Sequence, residues 1–203
     1  MHLSWLGNTC VKLQTKHLDE DVLILIDAYK PLKGEFPRSF TPTAALFSIG
    51  MDNAATLSGT PLLIDTLGEF ETKNVMILAI PGNDQNLIFK IMIEGISVVH
   101  LGHITKKLTA EAVEKLGHVD ILLAPAGQPE FTFEDSAALI TELEPRVVIP
   151  ISYQCDTDPK AEPLSKFLKE VGLKPAATDK KFILKKKDLP QEDTALYVLE
   201  KSV

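Results

Sequence analysis

The stretch Ala44-Ala45-Leu46-Phe47-Ser48-Ile49-Gly50-Met51-Asp52-Asn53-Ala54-Ala55 decides how the rest of the chain is read. A short apolar run closes on Gly50 and is followed by Asp52 and Asn53, which favour turns. This pattern predicts a buried strand running into a loop. Loops leaving the C-terminal end of a buried strand are where α/β proteins place binding and catalysis. This one carries little of the usual chemistry: it has no His, no Cys and one carboxylate, Asp52.

Upstream, residues 2–6, 11–17 and 22–28 are expected to be strands. Val11, Leu13 and Thr15 alternate with Lys12, Gln14 and Lys16, the period of a half-solvated strand. Val22-Leu23-Ile24-Leu25-Ile26 is apolar on both faces, which suits a central strand covered on both sides, ended by Asp27. From Tyr29 to Thr43, Pro31, Gly34, Pro37 and Pro42 predict an irregular loop. Downstream, Ala54 to Ser58 is expected to form a short helix. Strands are expected over 61–65, 69–71 and 74–80, with Lys73-Asn74 as a hairpin turn and Pro81-Gly82-Asn83-Asp84 as a tight turn. A second hairpin, Leu87–Glu94 and Ile96–Leu101, turns at Glu94-Gly95. The hairpin-to-buried-strand pattern of 11–27 repeats at 87–103, as two similar sheet halves with helices outside would require.

The second half alternates helix and strand. Thr109 opens a helix to Leu116, with Glu111 adding negative charge to its first turn. Thr132 opens another through Leu143, with Asp135 at capping-box spacing. Pro163 to Val171 is amphipathic and is ended by Gly172. Ile121–Ala124, Arg146–Ile151, 182–187 and 194–200 are the expected strands.

Bulk properties limit the function classes. At 203 residues the chain fits one domain over 1–203 with a sizeable core. A net charge of −7 argues against a nucleic-acid surface, which needs a basic face. The longest apolar run, Val22 to Ala28, is broken by Asp27 and is too short to span a membrane. Cys10 and Cys155 form no disulfide framework, and Met1-His2-Leu3-Ser4-Trp5 leads directly into a strand; a cytoplasmic location is expected.

Trp5-Leu6-Gly7-Asn8-Thr9-Cys10, Gly68-Glu69-Phe70-Glu71, Val99-His100-Leu101-Gly102-His103, Val119 to Gly127 and Val147 to Tyr153 resemble, in order, the landmarks of the metallo-β-lactamase fold. The nearest branch is similar to the small single-domain hydrolases related to ascorbate-6-phosphate lactonase. The resemblance extends over nearly the whole chain, including the tail Lys185 to Pro190, and implies a four-layer αββα sandwich.

In that family the organising stretch carries a His-x-His-x-Asp-His signature for one or two zinc ions. With Phe47-Ser48 aligned, the four places hold Ile49, Met51, Asn53 and Ala54. None supplies the imidazole, thiolate or carboxylate that zinc prefers. The next family His falls at Asn83 or Asp84, the bridging Asp at His103 and the last His at Ser152. Only His103 and Asp84 retain donors, with Asp52 as a possible third. Asn8 stands where many relatives have a polar residue or His near the active-site floor. Asp27 stands where relatives support a metal-bound His from behind. Tyr153 is expected to line the cleft with Ile49 and Met51.

Several residues have plainer readings. His100 is expected to be a core histidine satisfied by backbone, and Cys10 a buried thiol. His2, His17 and His118 fall at element ends, and Asp84 in ordinary turn chemistry. Cys155 beside His103 suggests a nucleophile, but no third group in the sequence orients the pair. Lys180, Lys181 and Lys185 to Lys187 are expected to be a solvated edge that discourages strand pairing.

The leading expectation is therefore a pseudoenzyme of this fold with no catalytic metal and no cofactor, serving as a binding or assembly module for a protein partner or as a homo-oligomer. One alternative is a hydrolase with an altered site of Asp52, Asp84 and His103 holding one weakly bound Zn or Mn. The other is a metal-free protein that binds a small ligand in the former active-site cleft.

Overall fold

The computed structural model describes residues 1–33, 36 and 40–202. The three amino-terminal strands are β1 (His2–Trp5), β2 (Val11–His17) and β3 (Glu20–Ile26), an antiparallel meander with Trp5 opposite Val11 and Val11 opposite Ile26. β4 (Ala44–Leu46) and β5 (Leu62–Ile64) add parallel to β3 and to each other. A second sheet starts with a meander of β6 (Gly68–Thr72), β7 (Val75–Pro81), β8 (Leu87–Ile93) and β9 (Ile96–His100). Its turns at Lys73-Asn74 and Glu94-Gly95 both have two positive φ angles, as tight hairpins require.

Helices then alternate with strands: α1 (Ala110–Leu116), β10 (Ile121–Pro125), α2 (Phe133–Leu143), β11 (Val147–Ile151), α3 (Leu164–Val171) and β12 (Pro175–Asp179). β13 (Phe182–Ile183) returns to pair with β1, and β14 (Ala195–Leu199) lies parallel between β11 and β12. The sheets run β13-β1-β2-β3-β4-β5 and β12-β14-β11-β10-β9-β8-β7-β6.

The period-two pattern explains the packing. Ile24, Ile26, Leu46 and Ile64 of the first sheet share one core with Ile77, Phe89, Ile91 and Val98 of the second. Each such buried side chain contributes about 1.5–3 kcal/mol. Leu25, Ala45 and Phe47 face the other way and cluster with Leu6, Cys10 and Ala28. Tyr29, Phe40, Ala55 and Leu57 cover them, so irregular chain forms the outer layer here. The helices cover the other sheet, with α1 on β7 and α2 on β10 and α3. This is the mixed α/β sandwich expected for a metallo-β-lactamase-type fold.

The helix starts agree with the caps. Thr109 Oγ1 accepts from Ala112 N at 3.2 Å, and Thr132 Oγ1 from Asp135 N at 3.1 Å. Asp135 does not reach back as a capping box would; its carboxylate sits 3.4 Å from Lys107 Nζ.

Two expectations need correction, and one strand was missed. Residues 54–58 form no helix, because their backbone is engaged elsewhere: Ala55 N donates to Ala28 O and Ser58 N to Phe40 O. The strand expected over 182–187 stops at Ile183, and Lys186–Asp188 form a 3-10 turn, so Lys185 to Lys187 lie beyond the edge strand. β12 was not foreseen. Gly34 and Pro37 of the predicted loop lie outside the described residues.

Candidate functional site

Parallel pairing makes β3 and β4 end side by side, so their loops leave together. Asp27 N donates to Leu46 O at 2.8 Å, and Asp27 takes the left-handed conformation at φ 50°. Its buried carboxylate then faces Ser48. Oδ1 accepts from Ser48 N at 2.6 Å and Oδ2 from Ser48 Oγ at 2.8 Å. Such charge-assisted bonds are the strong ones, and they satisfy an otherwise costly buried carboxylate.

The second sheet delivers the opposite wall from the end of β9. His100 is fully buried; Nε2 donates to Thr9 O at 2.7 Å and Nδ1 accepts from Gly102 N at 3.1 Å. It is the core histidine foreseen from its neighbours. Gly102, at φ 64°, turns the chain so that His103 faces Ser48 and Thr9. His103 Nδ1 lies 3.1 Å from Ser48 Oγ and 3.9 Å from Asp27 Oδ2, and Nε2 lies 3.4 Å from Thr9 Oγ1. Asn86 braces this turn, donating to Leu101 O and accepting from His103 N, both at 2.8 Å.

His100 carries a pH prediction. Burial holds its imidazole below the ordinary value, outweighing the attraction of Asp27 4.0 Å away. Protonating Nδ1 would also break the bond from Gly102 N. The neutral form is therefore favoured by folding, and this stability is complete above the unfolded value near ~6.5. As pH falls below that value the unfolded chain takes the proton first, costing up to about 1.4 kcal/mol per pH unit. Urea unfolding at neutral and mildly acidic pH measures the loss, and His100→Gln is expected to flatten it. An equal acid loss in that variant would contradict the assignment.

Between the walls lies a cleft of about 470 Å³. Among the positions singled out in the sequence, Asn8, Asp27, Ile49, Asp52, Asn53, Ala54 and His103 line it. Others do not, and for Met51 and Tyr153, expected to line the cleft, this is a correction. Met51 is exposed outside the lining. Tyr153 is buried against Trp5, with ring centroids 4.2 Å apart, and its hydroxyl donates to Leu199 O. Asp84 meets Thr105 Oγ1 at 2.6 Å and Lys106 Nζ at 3.4 Å, outside the cleft lining. Ser152 is buried, donating its N–H to Asn8 O at 3.1 Å, and Asn8 O also accepts from Trp5 Nε1. Cys155 Sγ lies 3.3 Å from Thr157 Oγ1, outside the lining.

Three contributors went unrecognised in the sequence: Ser48, Thr9 and Gln128. Gln128 Nε2 donates to Gly102 O at 3.1 Å and lies 3.5 Å from Ser152 Oγ, tying two loops together. Ser48 served only as an alignment landmark, and its link to Asp27 spans 21 residues.

A sandwich of two sheets with its cleft at the ends of β3, β4 and β9 defines a class of protein, and the family comparison agrees. The beta-lactamase superfamily domain matches residues 2–152, most of the chain, and the protein belongs to that superfamily. Among solved structures it is similar to a metallo-beta-lactamase superfamily protein from Thermotoga maritima, with 24% identity over 98% of both chains and a TM-score of 0.82. It is also similar to Igni18, a metallo hydrolase from Ignicoccus hospitalis: 16% identity, 84% of this chain and 90% of that one, TM-score 0.61. YhfI, a metallo-beta-lactamase fold protein from Bacillus subtilis, matches at 10% identity over 99% and 97%, TM-score 0.57. At these identities the likeness is one of fold. No curated protein matches the chain.

The donors present do not fit a zinc centre of the family's kind. Ile49, Met51, Asn53 and Ala54 offer no imidazole, thiolate or carboxylate, and among the described residues His103 is the one imidazole that lines the cleft. Among the described residues no three His, Cys, Asp or Glu side chains gather as a metal-holding group.

Proposed function

We propose that this chain is a metal-free member of the superfamily, a pseudoenzyme that works as a binding or assembly module. One observation carries the reading: the polar groups left at the site bond to one another. Asp27 spends both oxygens on Ser48, and Ser48 meets His103. In a zinc enzyme, second-shell carboxylates are instead aimed at the ligating histidines. The altered-site hydrolase lacks comparable support, since Asp84 is held by Thr105 and Lys106.

The test is metal content by elemental mass spectrometry on untagged protein, made without chelators and with zinc, manganese and iron supplied. Substoichiometric traces that do not change in His103→Ala are expected. Close to one equivalent of metal, lost in His103→Ala, would end the reading and direct attention to hydrolase assays.

A further inference from the structure

The direction of hydrogen bonding through the cleft wall has no assigned role. Ser48 Oγ–H is committed to Asp27 Oδ2 at 2.8 Å, and Ser48 Oγ lies 3.1 Å from His103 Nδ1. A hydroxyl whose hydrogen is donated to a carboxylate can only accept from the ring. Nδ1 therefore carries a hydrogen, and in the Nδ1–H tautomer the ring keeps a lone pair on Nε2. His103 and Thr9 both line the cleft, and their 3.4 Å separation is at the long limit for a hydrogen bond. A donor placed between them replaces that weak contact with two acceptors.

The surroundings narrow the donor's chemistry. Among the described residues, Asp27, Asp52 and Asp158 line the cleft against one basic side chain, Lys30. That balance favours a cation, and a lone pair at Nε2 repels an anion. At the mouth the walls are apolar: Ile49 is 58% exposed and Leu32 fully exposed, and both line the cleft. Large apolar side chains grouped at an open cleft mark a binding surface.

We propose that the cleft binds a small alkylammonium compound, with its N–H donors on His103 Nε2 and Thr9 Oγ1 and its apolar stem against Ile49 and Leu32. The inference rests on the metal-free reading, because a metal on His103 would consume the Nε2 lone pair.

The probe is n-pentylamine, titrated into the full chain and followed by amide NMR shifts and thermal unfolding, with pentanoate and 1-pentanol as isosteric controls. A ligand of this size is expected to bind with Kd on the order of 1 mM. Pentylammonium should raise the unfolding temperature and pentanoate should not. His103→Ala and exposed Asp52→Asn should each weaken binding about fivefold or more, and Lys30→Met should tighten it. Ring-nitrogen NMR of the free protein should show Nδ1 protonated and Nε2 bare at His103. Equal binding of pentanoate or pentanol, or unchanged amine binding in both weakening variants, would overturn the proposal. So would no response at ~20 mM amine. Elemental analysis of the same sample separates the two readings. Stoichiometric metal overturns both, whereas metal-free protein indifferent to the amine overturns this one alone.

Discussion

Gly102→Ala is expected to cost about 3–5 kcal/mol of stability, close to the upper end for a single substitution. Two effects combine. At φ 64° an L side chain is strained, by about 1 kcal/mol. The added Cβ would also sit 2.4 Å from Asn86 Oδ1 and 2.5 Å from Ser48 Cβ. Neither neighbour can yield cheaply. Asn86 is clamped between Leu101 O and His103 N, and Ser48 is held by Asp27 through two atoms. Overpacking typically adds 1–3 kcal/mol, and displacing either clamp strands a buried polar group. Urea unfolding measures the loss. A cost below about 1 kcal/mol would mean that the two loops are not locked against each other as described.

Asp27→Ala is expected to destabilise by about 2–4 kcal/mol, because Ser48 N and Oγ lose their acceptor and alanine fits poorly at φ 50°. Asp27→Asn separates charge from shape. Asparagine tolerates that backbone conformation and keeps one acceptor for Ser48 N, so its cost should be near 1 kcal/mol. Its amide NH2 would then donate to Ser48 Oγ, freeing the serine proton for His103 Nδ1. The imidazole would switch to the Nε2–H tautomer, visible in ring-nitrogen NMR, and the cleft would lose its lone-pair acceptor. Unchanged His103 nitrogens in Asp27→Asn would contradict the bond directions drawn from Asp27 to His103.

Features written in local chemistry were legible in the sequence. The alternation of β2, the paired turns at Lys73-Asn74 and Glu94-Gly95, and the threonine caps of α1 and α2 need only neighbouring residues to be read. What escaped depends on distant partners. Ala54 to Ser58 has fair helix propensity, but the backbone of Ala28 and Phe40 claims its N–H groups, and tertiary pairing outweighs propensity. Pro175–Asp179 is an exposed edge strand, with no buried face to impose alternation. At the site, the sequence shows residue by residue that Ile49, Met51, Asn53 and Ala54 carry no imidazole, thiolate or carboxylate. The Asp27–Ser48–His103 linkage is not, because its members meet only when both sheets are assembled. Tyr153 misled because its place beside Ser152 suggested the cleft, while Trp5, from the far end of the chain, draws it inward.

The pairing of β1 with β13 bears on the order in which the molecule can be completed. His2 aligns with Ile183, and Ser202 N donates to Trp5 O, so an edge of the first sheet and the packing around Trp5 wait for residues far downstream in the sequence. Contacts this remote in sequence slow folding, because the loop must close before it is rewarded. On the ribosome, β2 to β5 can assemble while β1 still presents an unpaired rim. During that interval the nascent chain is open to intermolecular strand pairing.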